Sequence, residues 1–138
     1  MSLRRRRELP ADLRQAHDAF TAVLAEVEPA KAALTEVMPT TRLPGRSLPD
    51  ALAEFEARLG RAKQEMRPWR VAAVEEAWLA CDSGIDEALE RAERLRASAP
   101  ELGGFEGLLW AVGELLAPLE PFEEADRRFR ALGRRSRR

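Results

Sequence analysis

A chain of 138 residues with 45% hydrophobic side chains is the size of one domain and can build a real core, and its 34% of charged residues supplies a solvated surface. Tyrosine is absent and aromatic residues make up only 6%, which points to an all-α protein and away from a sheet protein. The formal net charge of −1 hides a segregation: residues 8–126 carry 12 basic and 24 acidic side chains, a balance of −12, whereas residues 1–7 and 127–138 carry 11 arginines and no acid.

Residues 1–9 read as a basic disordered arm, residues 10–133 as a single helical domain and residues 134–138 as a basic disordered tail. Arg4 to Arg7 lead into Glu8, Pro10 and Asp12 in place of an apolar run, so no secretory signal is read and a cytoplasmic location is expected. The first helix opens near Pro10, with Asp12 suited to a helix N-terminus. Its stripe is Leu13, Ala16, Phe20, Val23, Val27, Ala30, Leu34 and Val37, spaced by three and four. Pro29 lies off that stripe and is expected to bend the helix without ending it.

Residues 39–46 have loop composition, and Ser47 with Asp50 then forms an S-x-x-D start for the second helix. Leu48, Leu52, Phe55, Leu59, Ala62, Met66 and Trp69 make its stripe, with Gly60 a weak point costing up to about 1 kcal/mol relative to alanine. Beyond Pro68 a longer stripe follows: Val71, Val74, Trp78, Cys81, Ile85, Ala88, Ala92 and Leu95. It starts two residues earlier than the preceding stripe allows, so the buried face turns through roughly 160–200° at about 100° per residue. Two geometries fit: one long helix kinked at Pro68, or a reversal there. Flanking residues are good helix formers with no glycine or asparagine, which favours the kink. The expected fold is an antiparallel bundle of three long helices, the second kinked near Pro68 and the third near Pro118 and Pro121. The alternative is a four-helix up-down bundle with a reversal at Pro68. A kink predicts that Pro68→Ala is neutral or mildly stabilising, and a reversal predicts the opposite.

Glu87 with Arg91 and Glu90 with Arg94 stand four apart, acid first, on the solvated side of this stretch. Ser98, Pro100 and Glu101 suggest a capping box opening the third helix. Phe105, Leu108, Val112, Leu115, Leu119 and Phe122 form its stripe, with Leu102, Leu109 and Leu116 beside it, a width that implies more than one partner. Gly103, Gly107 and Gly113 suggest close approach of a neighbouring backbone such as that near Ala88 and Ala92. Phe129 resumes the apolar side, and Gly133 is the expected stop.

Signals of chemistry are sparse. Phosphate loops, dinucleotide fingerprints and Cys-x-x-Cys pairs are absent, and no metal or other cofactor is implied. His17 is the one histidine and Cys81 the one cysteine; both are read as structural residues, the thiol as a buried core group. Asp82 and Asp86 place two carboxylates one turn apart and are read as part of a solvated face, the alternative being neutralisation by an arginine from the first or third helix or by a cation. The preferred reading is a non-enzymatic interaction protein forming a homodimer, because a kinked second helix leaves two two-helix layers that a second copy would complete. Its candidate interface is Trp69, Trp110, Leu102, Leu109 and Leu116. One alternative is binding of nucleic acid or another polyanion through Arg127, Arg128, Arg130, Arg134 and Arg135, opposed by the acidic body. The other is a small-molecule site between helices near Trp78 and Trp110. The longest apolar run, Leu108 to Leu119, is too short to cross a membrane.

Overall fold

The apolar stripes become five α-helices in the computed structural model, which describes residues 9–38, 45–98 and 103–135, with Arg134 and Arg135 by their backbone only. They are α1 (Ala11–Thr35), α2 (Leu48–Gln64), α3 (Glu75–Ser98), α4 (Gly104–Leu116) and α5 (Pro121–Arg135), with no strand among the described residues. The basic arms, part of the loop after α1, and the Pro100–Glu101 part of the anticipated capping box lie outside the described residues.

Helix α1 runs through Pro29 without interruption and buries Phe20, Val23, Val27, Ala30 and Leu34. Helix α2 starts as anticipated: the Asp50 amide donates to the Ser47 hydroxyl at 3.4 Å, satisfying one of the free N–H groups of the first turn. Glu26 of α1 accepts from Arg58 at 3.0 Å and from Arg61 at 2.8 Å, and Arg46 meets Glu36 at 3.2 Å. Later positions of α1 therefore meet earlier positions of α2, and the two run antiparallel. The Arg61 hydrogen bond, helped by Arg58 and opposed by partial burial, holds the Glu26 carboxyl below its ordinary pKa. Such exposed pairs fix register more than they stabilise.

At Pro68 the chain reverses, so the expected kink gives way to the up-down alternative. Lys63, near the end of α2, reaches Asp82 at 2.8 Å and Asp86 at 3.0 Å early in α3, while Glu56, two turns earlier, pairs with Arg96 near the far end. One continuous helix would hold Glu56 and Arg96 about 60 Å apart. Residues 65–74 leave α-helical geometry through two 3₁₀ turns, Arg67–Trp69 and Ala72–Val74. The two-residue slip of the stripe is the imprint of that break, because helical phase is not carried across it. Pro68 sits inside the first 3₁₀ turn, where its fixed φ fits and its missing N–H is not needed. Trp69 follows and is fully buried, its ring 4.8 Å from Phe20 and 6.0 Å from Phe129. Its indole N–H points at the Met66 sulfur at 3.3 Å, and that of Trp78 donates to the Met66 carbonyl at 2.8 Å.

Helix α3 passes unbroken through Asp82-Ser83-Gly84 and buries Trp78, Cys81, Ile85, Ala88, Ala92 and Leu95. Ser98 closes this helix and does not open the next, its hydroxyl donating to the carbonyls of Arg94 and Leu95. The corner moves to Gly103 and to Gly104, whose φ of 62° suits a residue without Cβ. The fourth layer is broken by the 3₁₀ turn Ala117–Leu119, as the two prolines required, and α5 then continues past Gly133, which is not a stop. Close backbone approach occurs at Gly84 of α3, against Pro118, whereas Gly103 and Gly113 have nothing within 4 Å of an added Cβ. The Arg128 side chain donating to the Ala73 carbonyl at 3.4 Å and the Arg91 side chain donating to that of Glu114 at 2.8 Å show α3 antiparallel to the α4–α5 layer. A four-helix up-down bundle results, closed on α1 by Phe122 and Phe129 against Phe20.

Candidate interaction surface

Helix α4 carries no basic residue and two acids, Glu106 and Glu114, on an otherwise apolar or small sequence. Only Ala111, Val112 and Leu115 are buried in it, with Leu108 and Leu116 half-buried. Phe105, Leu109 and Trp110 remain 56%, 53% and 65% exposed, and the one other large apolar side chain so placed among the described residues is Leu79. Phe105, Leu109 and Gly113 stand four apart and form one row facing solvent. Phe105 was expected on the buried stripe. The break at Ala117–Leu119 sets the rotation of α4 apart from that of α5, and only one side of the wide stripe finds cover.

Beside this row lies an open cleft of about 290 Å³ between α3 and α4, bounded by Arg91, Arg94, Leu95, Ser98, Trp110 and Leu115. Arg91 spans it, pairing with Glu87 at 2.7 Å on its own helix and with the Glu114 carboxylate at 3.6 Å across the gap. Arg94 and Glu106 have no ion-pair partner among the described residues; the expected Glu90–Arg94 pair is not formed.

The remaining sequence candidates fall elsewhere. Trp69 is a core plug and cannot be an interface anchor, Leu116 packs against the core, and Leu102 lies outside the described residues. Trp78 is held at the start of α3 with the Arg70 guanidinium 4.4 Å over its ring, while Trp110 faces the Arg91–Ser98 end, roughly 20 Å or more away at 1.5 Å per residue. The two tryptophans do not share a pocket. His17 packs its ring on Phe129 at 5.1 Å and Phe20 at 6.5 Å. Asp82 and Asp86 find their cation in Lys63; partial burial pulls the ammonium pKa down, but the two carboxylates outweigh it and hold it above the ordinary lysine value. No sequence pattern pointed to Lys63, since the pairing depends on the reversal at Pro68. Arg127 and Arg130 pair with Glu124 and Asp126 on their own helix, and Arg128 reaches the Ala73 carbonyl, so these three arginines are engaged within the chain; the side chains of Arg134 and Arg135 are outside the described residues.

Cys81 is fully buried, and burial first, then the Asp82 charge, pushes its thiol up to about 12. Thiolate is the reactive form, so a thiol reagent near neutral pH should leave the folded protein unmodified and label it stoichiometrically in denaturant. Rapid labelling of the native chain would show the α3 stripe to be open. Among the described residues no three histidine, cysteine or carboxylate side chains are grouped to hold a metal ion, and no helix is long and apolar enough to cross a membrane. Compared with protein-family models, with curated proteins and with solved structures, the chain matches none of them.

Proposed function

We propose that this chain is a non-enzymatic helical interaction module that self-associates through the outward face of α4. One chain closes its own four-helix core, so no incomplete layer calls for a second copy. The observation that carries the reading is instead the exposed set Phe105, Leu109 and Trp110 on a single short helix, while the other large apolar side chains among the described residues are nearly all covered. Apolar clusters of this kind on an otherwise charged surface mark association sites, with tryptophan a favoured anchor. The charges along the flank that faces α3, Arg91 and Arg94 on α3 and Glu106 and Glu114 on α4, give the edge of the patch both signs, which suits a self-complementary contact.

Sedimentation equilibrium of the full chain at tens of micromolar is expected to report a dimer. Leu109→Glu and Trp110→Ala should return it to a monomer with unchanged helicity, since both side chains are more than half exposed and contribute little to the folded monomer. A parent chain that sediments as a monomer across that range would remove the proposal.

A further inference from the structure

Resting on that reading, we infer that the two copies meet through an antiparallel α4–α4 pair centred on Leu109, in which Phe105 of each copy lies over Gly113 of the other at the mouth of the α3–α4 cleft. In a two-fold pairing of antiparallel helices, residues equally far from the axis on either side face one another. The exposed row Phe105, Leu109, Gly113 is symmetric in spacing about Leu109 and asymmetric in size, large at one end and small at the other. Turned about that centre, it sets a large side chain against a glycine twice and Leu109 against its own copy, the alternation that lets helix surfaces interdigitate.

Gly113 is the second observation. It lies in the interior of α4, where glycine costs helix stability relative to alanine, yet a Cβ there would meet nothing within 4 Å of the same chain and the backbone carries no positive φ. Nothing among the described residues of the monomer needs a glycine at that point. A second helix backbone or the ring of Phe105 approaching closely does.

Charge completes the fit. The axis of such a pair is perpendicular to the plane of the two helices, so the flank of α4 that faces α3 in one copy lies on the same side as that flank in the other. Glu106 shares that flank with Trp110, one turn away. Its opposite level in the other copy is near Val112, where Arg94 stands at the lip of the cleft, and neither charge has an ion-pair partner among the described residues. Each dimer thus gains two Glu106–Arg94 pairs and seats two Phe105 rings beside Trp110, which stands one turn from Gly113.

The test uses the full chain and reads the dimer dissociation constant by sedimentation. Gly113→Ala is expected to weaken the dimer about tenfold while leaving the monomer as helical or more so, and Gly60→Ala, with equally open space around its Cβ, serves as a control that should not change it. Arg94→Glu and Glu106→Arg should each weaken it about tenfold, and the double exchange should recover the parent value to within a few-fold. A dimer unmoved by Gly113→Ala and by both charge reversals would overturn this arrangement while leaving self-association standing. A monomeric parent would overturn both.

Discussion

Trp69→Ala is expected to lower the stability of the fold by about 3–5 kcal/mol, a large share of the roughly 5–15 kcal/mol available to a domain. Trp69 is fully buried and stands in a 3₁₀ turn of three residues, so its indole is the main link between the α2–α3 corner and the core. Its ring meets Phe20 of α1 edge-on and Phe129 of α5, and its N–H points at the Met66 sulfur. Truncation leaves a cavity where two helices and a turn converge, beside Met66, which is itself already fully buried at the start of the turn. Urea unfolding followed by circular dichroism should show the midpoint fall, with a drop in Tm on the order of 10 °C or more. Pro68→Ala acts on the same turn through the unfolded chain, which it frees, and should cost only about 0.4–1 kcal/mol. If Trp69→Ala unfolds within about 1 kcal/mol of the parent, the corner is held by something other than its indole.

The second large effect is expected at Gly84. A Cβ added there falls well inside contact distance of the Pro118 carbonyl oxygen and 3.3 Å from its carbonyl carbon. Those atoms are backbone, fixed by the 3₁₀ turn that joins α4 to α5, and cannot rotate away as a flexible side chain would. Gly84→Ala should therefore push α3 and the turn apart and cost about 1–3 kcal/mol, in the range of overpacked cores, and Gly84→Val should cost more. The sign is informative, because glycine to alanine inside a helix otherwise stabilises by up to about 1 kcal/mol. Gly60→Ala, where the space is open, should show that ordinary gain in the same thermal-melt series. A stabilised Gly84→Ala variant would show that the turn yields and that α3 and Pro118 do not pack as closely as described.

Much of the helical content was legible in the residues. Apolar side chains at three-four spacing foretold the buried faces of α1, α2 and α3 almost residue by residue, since helical periodicity is local and a stripe that wide must be covered. Ser47 and the prolines at 118 and 121 marked a start and a break for equally local reasons, a free N–H to satisfy and an N–H that is missing. Only the tertiary structure decided what each stripe faces. The direction of the chain after Pro68 depends on Trp69 finding Phe20 and Phe129, partners 49 and 60 residues away in the sequence, and the same reversal supplies Lys63 to Asp82 and Asp86. Likewise a stripe can say that Phe105, Leu109 and Trp110 are apolar, but whether they are covered depends on how the 3₁₀ turn at Ala117–Leu119 rotates α4 against α3. Periodicity fixes which face of a helix is apolar, whereas cover comes from residues distant in the chain, and no local pattern encodes their distance or direction.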